Sequence, residues 1–361
     1  LYPPGLDYIA AFFGCLYAGV IAVPAYPPQR KRTLPRLQTI LENSQSRFAL
    51  TTAQIHAHVQ RLCSQDPGLD NLLTPHWIVT EMLTGKGETD WRMPEIDGGT
   101  LAFLQYTSGS TGMPKGVMVS HGNLLDNERM IAQAFDHTER TIVCGWLPLY
   151  HDMGLIGNVL QPLYLGVPCV LMSPIHFLQQ PFRWLAAISR YRATTSGGPN
   201  FAYDLCVRHT TPEQRASLDL SCWTVAFNGA EPIHPGTLER FTHAFSGSGF
   251  RREALYPCYG LAEATLLVSG GNSTIPPVLR TIQKAELQQH RVLTSTETHE
   301  ETQTLVGCGH ARLEQQICIV NPESLRTCPA GHVGEVWVKG PSIAQGYWNR
   351  PEETAQTFEG Y

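Results

Sequence analysis

Long apolar runs, basic clusters and paired cysteines are all missing from this sequence of 361 residues. No apolar segment reaches the roughly 18 residues that a membrane-spanning helix needs, so we expect no integral membrane segment. The longest basic run is Arg30-Lys31-Arg32 and the net charge is −5, which argues against a nucleic-acid-binding protein. The ten cysteines form no Cys-x-x-Cys pair. Unpatterned cysteines in a chain of this size are typical of the reducing cytoplasm, where we expect the protein.

Lysine is also scarce in the middle of the chain, where Lys115 is the only one between Lys86 and Lys284. A predicted strand, residues 100–105, leads to a run of hydroxyl-bearing and glycine residues just before this lysine. The run consists of Thr107, Ser108, Gly109, Ser110, Thr111 and Gly112. Glycines let backbone N–H groups turn inward, hydroxyls add donors and lysine adds a positive charge, all of which suit a polyphosphate.

This loop has two other interpretations. A flexible Ser/Gly connection between a strand and a helix near Ser120 is the simpler one, but the length of the run and the lysine favour phosphate binding. A Walker A loop requires Gly-Lys-Ser/Thr after four intervening residues. Pro114 precedes Lys115 and Gly116 follows it, so that motif is absent.

Short apolar segments alternate with helical patterns over most of the chain. Helices are predicted at 120–135, 153–165, 177–191, 201–209 and 235–245, and strand-like segments at 20–25, 193–196 and 224–227, among others. This alternation predicts an α/β fold with layered parallel sheets and flanking helices. Helical periodicity fades after residue 265 and short strands appear. We therefore predict a layered α/β part over residues 1–265, and an insertion with a smaller β-barrel-like part over residues 266–361.

Further candidate residues stand where predicted strands end, which is the edge at which parallel sheets bind ligands. His151 can meet a carboxylate as a donor or as a cation, although a buried structural histidine is the alternative. Tyr259 offers a flat face, and Glu263 supplies the hard oxygen that Mg²⁺ prefers, or else caps a helix. A tight turn at another strand end consists of Asn228, Gly229, Ala230 and Glu231, for which an ordinary strand-to-helix turn is the alternative.

The segment from Tyr106 to Val117, Tyr-Thr-Ser-Gly-Ser-Thr-Gly-Met-Pro-Lys-Gly-Val, closely resembles the phosphate loop of the adenylate-forming enzymes. The resemblance implies the fold of their large N-terminal domain, with ATP and Mg²⁺ as cofactors. It also implies that a carboxylate attacks the α-phosphate of ATP. Lys115, His151 and Glu263 would then be catalytic, and Thr107 and Glu263 would hold the metal. The implied nucleotide site comprises the loop residues Thr107 to Gly112 with Lys115, the turn from Asn228 to Glu231, and Tyr259, Gly260, Leu261 and Ala262.

Within this superfamily the sequence is most similar to the fatty acyl-AMP ligases. The similarity lies in residues 24–28, 147–157, 196–203 and 227–232, and in a polar stretch between Ser269 and Gly307 that acyl-CoA synthetases lack. In the ligases such an insertion is held to hamper the domain rotation that admits CoA. The resemblance therefore implies acyl transfer to an acyl carrier protein, free or fused to a polyketide synthase module. A tolerated surface loop is the alternative reading of the stretch.

Three other functions are alternatives to a fatty acyl-AMP ligase. A medium- or long-chain acyl-CoA synthetase is the main alternative. An amino-acid adenylation domain would use Asp152 to hold an α-amino group, but His151 before it speaks against that function. A catalytically silent nucleotide-binding module is disfavoured because Lys115, Tyr259 and Glu263 are intact. The resemblance covers essentially the whole sequence, and it implies that a ribose-binding Thr-Gly-Asp and a small C-terminal domain follow Tyr361, and that the domain's first strand and helix precede Leu1.

Overall fold

A computed structural model describes residues 1–28, 34–85, 90–107 and 113–359. The chain divides into two compact units, each made of separate segments. The first unit takes in the described residues of Leu1–Leu125, Pro148–Leu155 and Ala344–Gly360, and the second those of Asp126–Leu147 and Ile156–Ile343. The sequence predicted a boundary at residue 265 instead, between a layered α/β part and a β-barrel-like part. The two compact units have other boundaries, so this division stays a prediction.

The first unit contains amphipathic helices and two pairs of strands. Its helices are α1 (Leu6–Tyr17), α2 (Leu34–Ser44), α3 (Ala53–Ser64), α5 (Asp152–Leu155) and α13 (Pro351–Phe358), and α4 (His121–Ala134) begins in this unit. In α2 the buried residues Leu34, Leu37 and Ile40 recur at helical spacing, which explains why this segment packs as a helix. Strands β1 (Phe48–Thr51) and β2 (His76–Val79) pair in parallel.

A buried antiparallel pair forms the centre of the first unit. Strands β3 (Leu101–Tyr106) and β4 (Gly116–Ser120) run in opposite directions, with Tyr106 opposite Gly116 at the loop end. The sequence predicted β3 but passed directly from the loop to the helix at residue 120, so β4 was missed. The strand has only five residues and directly follows a proline and a lysine, so the sequence around it has no clear strand pattern. The predicted strand over 20–25 is reduced to a single bridge between Ala22 and Phe103.

A six-stranded sheet dominates the second unit, with strand order β10-β9-β8-β7-β5-β6. All neighbouring strands are parallel except β10, which is antiparallel to β9. The strands are β5 (Val143–Gly145), β6 (Cys169–Leu171), β7 (Thr195–Gly197), β8 (Val225–Asn228), β9 (Leu255–Gly260) and β10 (Leu267–Gly270). The predicted alternation of strands and helices is therefore confirmed for this sheet.

Helices flank this sheet, and two of them differ from the prediction because of proline. They are α6 (Gln161–Leu165), α7 (Pro174–Gln179), α8 (Phe182–Tyr191), α9 (Asn200–Arg208), α10 (Pro212–Ala216) and α11 (Pro235–Phe245). The helix predicted over 177–191 is interrupted at Pro181, between α7 and α8. The helix predicted over 153–165 consists of α5, a π-helical turn (Ile156–Leu160) and α6, where Pro162 lacks the N–H that a regular helix would use.

The part of the chain after β10 forms two small antiparallel sheets. One is the hairpin of β11 (Leu279–Gln283) and β12 (Thr302–Val306), with α12 (Lys284–Gln288) between them. The other has the order β14-β13-β15, from β13 (Gln316–Asn321), β14 (Arg326–Thr327) and β15 (Glu335–Lys339). The polar stretch that the sequence marked as an insertion is thus an ordered hairpin. Across the described residues, no helix is long and apolar enough to cross a membrane.

Candidate functional site

The predicted phosphate loop connects the two strands of the β3–β4 hairpin. Thr107 N–H donates to the Lys115 carbonyl oxygen at 3.1 Å, so the hairpin ladder continues one step past Tyr106 and joins the two ends of the loop. The predicted phosphate ligands Ser108, Gly109, Ser110, Thr111 and Gly112 lie outside the described residues. A side chain at position 116 would meet the Tyr106 ring at 2.9 Å, so glycine is required at this base.

Lys115 stands at the base of the loop beside an aromatic ring. Its ammonium nitrogen lies 4.8 Å from the centroid of the Tyr347 ring, close enough for a cation–π interaction. No carboxylate among the described residues forms an ion pair with Lys115, so its charge is not neutralised by them. The sequence did not predict this contact, because Tyr347 lies far along the chain from Lys115.

The loop that carries His151 is fixed by hydrogen bonds to its backbone. The buried side chain of Gln105, in β3, donates to the Tyr150 carbonyl oxygen at 3.0 Å, and the Tyr8 hydroxyl donates to the Leu149 carbonyl oxygen at 2.8 Å. Tyr150 also packs edge-on against Tyr26. Gln105 lies two residues before Thr107, so one strand positions both the phosphate loop and the histidine loop.

The electrostatics of His151 are set by its neighbour Asp152. His151 Nδ1 lies 2.6 Å from Asp152 Oδ1, which also accepts the N–H of Met153. Partial removal from water lowers the pKa of His151, but the hydrogen bond and the charge of Asp152 together outweigh this and raise the pKa above its ordinary value. The imidazole is 51% exposed, so its other nitrogen can reach a ligand.

In the second unit the predicted nucleotide-binding turn, Asn228 to Glu231, begins at the end of β8. Asn228 is fully buried, and its amide donates to Asn200 Oδ1 at 3.2 Å, so it ties the strand end to α9. Gly229 is close to the next strand, since an added Cβ would lie 3.0 Å from the Cys258 carbonyl oxygen. Ala230 has a φ of 69°, a left-handed conformation that is uncommon for alanine.

Glu231, in the same turn, has a partner on a neighbouring helix. Its carboxylate accepts the N–H of Asn200, the first residue of α9, at 2.8 Å. A carboxylate at a helix N-terminus is favourable because it meets unpaired N–H groups and the positive end of the helix dipole. This contact gives Glu231 a structural role, and its predicted part in nucleotide binding stays a prediction.

The second strand end, β9, brings the aromatic and acidic candidates together. Tyr259 is 36% exposed, and burial together with the nearby Glu263 carboxylate raises its pKa. A Cβ at Gly260 would overlap the Leu266 carbonyl oxygen, so only glycine fits there. Leu261 follows, and Ala262 and Glu263 lie in a single 3₁₀ turn, Ala262–Ala264. No α-helix begins at this turn, so the only helix start at Glu263 is that of the 3₁₀ turn, and the role of Glu263 in metal binding stays a prediction.

The described residues suit a metal held by few protein ligands. They contain no group of three His, Cys, Asp or Glu side chains that could bind a metal by themselves. Mg²⁺ commonly uses one or two carboxylates with phosphates and water as its other ligands. Glu263, on a short turn at a strand end, fits that mode, while Thr107 lies in the other unit.

Comparison with known proteins defines the class to which the chain belongs. Residues 1–348 match the family described as AMP-binding enzyme, so the chain is a member of this family. The similarity to solved structures confirms the predicted α/β fold of the adenylate-forming enzymes. The fatty acid AMP ligase from Legionella pneumophila has a TM-score of 0.93 and 46% identity, over 100% of this chain and 61% of that one.

Two further proteins to which the chain is similar are also fatty-acid ligases. The medium-chain-fatty-acid–[acyl-carrier-protein] ligase JamA of Moorena producens is 48% identical over 363 residues, which is 99% of this chain and 61% of JamA. A fatty acyl-adenylate ligase from Legionella pneumophila, solved in complex with acyl adenylate and pyrophosphate, has a TM-score of 0.92 and 46% identity, with 100% of this chain and 62% of that one covered. The chain spans about three-fifths of the length of these relatives.

Proposed function

We propose that the full-length protein converts a fatty acid and ATP to an acyl-adenylate and pyrophosphate, and passes the acyl group to an acyl carrier protein. The observation that carries this proposal is the 48% identity to JamA over 99% of the chain. The carrier protein is either free or fused to a polyketide synthase module.

In the first unit, the proposal assigns charge and orientation to three residues. Lys115 directs its ammonium group at the phosphates of ATP, and Thr107 contributes its hydroxyl at the base of the same loop. Backbone N–H groups in the loop supply further donors, as in other anion-binding loops. His151, whose pKa is raised by Asp152, holds the fatty carboxylate by a charge-assisted hydrogen bond.

In the second unit, the residues at the ends of β8 and β9 would bind the adenine base and the metal. The Tyr259 ring provides a stacking face for adenine, and Gly260 with the backbone of Asn228 to Ala230 allows the nucleotide to approach closely. Leu261 and Ala262 continue this surface to Glu263. Bound Mg²⁺ would offset the negative charge of the phosphates, and Glu263 is the carboxylate that would hold it.

The reaction itself asks for little covalent work from the protein. A carboxylate oxygen of the fatty acid bonds to the α-phosphorus as the bond to the bridging oxygen breaks, and pyrophosphate leaves with both electrons of that bond. Positioning and charge stabilisation therefore supply the rate enhancement.

ATP–pyrophosphate exchange by the full-length protein tests this proposal. We expect exchange to depend on fatty acids and to be absent with amino acids, and Glu263→Gln should lose most of it while the protein still folds. Exchange driven by amino acids would overturn the proposed substrate class. Normal exchange by Glu263→Gln at saturating Mg²⁺ would refute the role given to this residue.

A further inference from the structure

The turn that carries Glu263 is strained. Directly after the 3₁₀ turn, Thr265 has φ 70° and ψ −61°, and Leu266 N–H donates to the Ala264 carbonyl oxygen at 2.9 Å. These features define a γ-turn with positive φ, which is rare and unfavourable, above all for a β-branched residue. Such a conformation persists only where surrounding contacts hold it, and strained residues cluster at functional sites.

Two buried side chains hold the turn. The Thr265 hydroxyl donates to the Ser342 carbonyl oxygen at 2.6 Å. Asn127, a fully buried residue of α4, donates from Nδ2 to the carbonyl oxygens of Ala264 at 3.1 Å and Leu267 at 3.0 Å. Its Oδ1 accepts the Leu267 N–H at 3.1 Å.

Every polar group of the Asn127 side chain forms a hydrogen bond with the backbone of this turn. Both amide hydrogens and the amide oxygen are used, and their partners flank Thr265 on either side. Aspartate lacks the donors, alanine lacks all three groups, and glutamine is longer by one methylene. Asparagine is also a poor helix former, and buried helix positions are usually apolar. The residue type is thus explained by the turn and not by α4.

We propose that Asn127, assisted by Thr265, is a positioning residue that fixes the backbone under Glu263 and so sets the direction of its carboxylate. The inference rests on the proposed function, because it takes Glu263 to act on the metal-bound nucleotide. Asn127 itself touches neither substrate nor metal. Its loss should therefore affect the site through Glu263 alone.

Two measurements on the full-length protein test the role of Asn127. In Asn127→Ala, hydrogen exchange of the amides from residue 261 to 268 should become faster without nucleotide or metal. The Mg²⁺ concentration that gives half-maximal ATP–pyrophosphate exchange should rise several-fold. Thr210→Val is the matched control, because it removes a buried hydrogen bond to the Cys206 carbonyl and a partly buried one from Arg215, elsewhere in the same unit. It should change neither measurement.

A second pair of variants covers the case in which Asn127→Ala does not fold. Thr265→Ser keeps the hydroxyl bond to Ser342 and should retain the wild-type Mg²⁺ dependence. Thr265→Val keeps the shape but loses the bond, and should show the several-fold rise. Asn127→Ala should add nothing to Glu263→Gln, because residues that act through one group do not contribute independently.

The outcomes separate this inference from the proposed function. If the wild-type protein shows no exchange with any fatty acid, the proposed function fails, while the amide measurement still reports on the turn. If the wild type is active but Asn127→Ala behaves like Thr210→Val in both measurements, or Thr265→Val behaves like Thr265→Ser, the positioning role is overturned.

Discussion

Lys115 is the only lysine between Lys86 and Lys284, and the Tyr347 ring lies beside its ammonium group. A charged side chain that is half-buried, contacts an aromatic face and forms no ion pair within the described residues contributes little to stability. Its position at the base of the β3–β4 loop is better explained by a ligand of opposite charge. At the scale of residues, then, no carboxylate in the described part of the chain pairs with Lys115, as expected for a lysine that binds an anionic ligand.

Lys115→Ala should weaken ATP binding and leave folding intact. A hydrogen bond to a charged group is worth about 1.5–3 kcal/mol, which corresponds to a roughly ten- to hundredfold rise in the KM for ATP. Steady-state kinetics of adenylate formation by the full-length protein measures this change. The control is Lys339→Ala, an exposed lysine at the end of β15, which should behave like the wild type. An unchanged ATP dependence in Lys115→Ala would mean that the loop holds another ligand.

The pair of His151 and Asp152 gives a prediction about pH. Because the pKa of His151 is raised, its stabilisation of the fold is fully present below about pH 6.5 and is lost as the pH rises through the raised value. Asp152→Asn removes the charge that raises the pKa, yet Asn can still accept the Met153 N–H. We expect the pKa of His151 to fall, and the KM for fatty acid to begin its rise at lower pH. NMR titration of the imidazole measures the pKa, and a pH profile measures the KM for fatty acid. If both profiles coincide with those of the wild type, His151 does not bind the fatty carboxylate in the proposed way.

At the scale of elements, the sequence predicted those helices and strands whose formation depends on the local pattern of residues. Helix α11 was predicted with its observed bounds, Pro235–Phe245, because an N-terminal proline and a clear apolar stripe define it. Strand β4 and the π-helical turn before Pro162 were missed, since short buried segments and helix irregularities depend on tertiary contacts. Tyr347 and Asn127 were missed for the same reason. Their partners lie 232 positions away for Tyr347 and at least 137 away for Asn127, so only the fold brings them together.

The insertion hairpin, Leu279 to Val306, offers a test at this scale. Its ends are joined, because Gly307 N–H donates to the Val278 carbonyl oxygen at 2.9 Å, so a short glycine turn can replace residues 279–306. The family resemblance attributes discrimination against CoA to such an insertion. We expect the shortened full-length enzyme to keep its adenylate formation and to gain acyl-CoA output. It should also lose some thermal stability, because burial of Ile282 contributes about 1.5–3 kcal/mol.

The matched control for this excision is a smaller deletion. Removing only residues 296–298 leaves β11, β12 and the bridge between Ile282 and Thr294 in place. That variant should show the wild-type distribution of products. Equal acyl-CoA output from the two deletions would show that the hairpin does not restrict the acceptor.

At the scale of the whole molecule, the question is which acceptor takes the acyl group. The predicted residues Thr107, Lys115 and His151 lie in the first unit, and those from Asn228 to Glu263 lie in the second. The roles proposed for these residues belong to adenylate formation, the first half-reaction, which acyl-AMP ligases and acyl-CoA synthetases share. Because both classes of enzyme carry out this step, the match in these motifs does not distinguish them. The name of JamA, an acyl-carrier-protein ligase, is what favours the carrier.

The full-length enzyme should therefore load a phosphopantetheine-bearing carrier protein while making little acyl-CoA. Both acceptors present the same thiol, so a preference must come from access to the adenylate and not from the chemistry of the thiol. The experiment supplies CoA and a holo-carrier protein at equal thiol concentration and follows both acyl thioesters by mass spectrometry. Apo-carrier protein, which lacks the thiol, is the control and should stay unloaded. Efficient acyl-CoA formation with an unloaded holo-carrier would assign the protein to the acyl-CoA synthetases, while the roles proposed for Lys115, His151 and Glu263 in adenylation would stand.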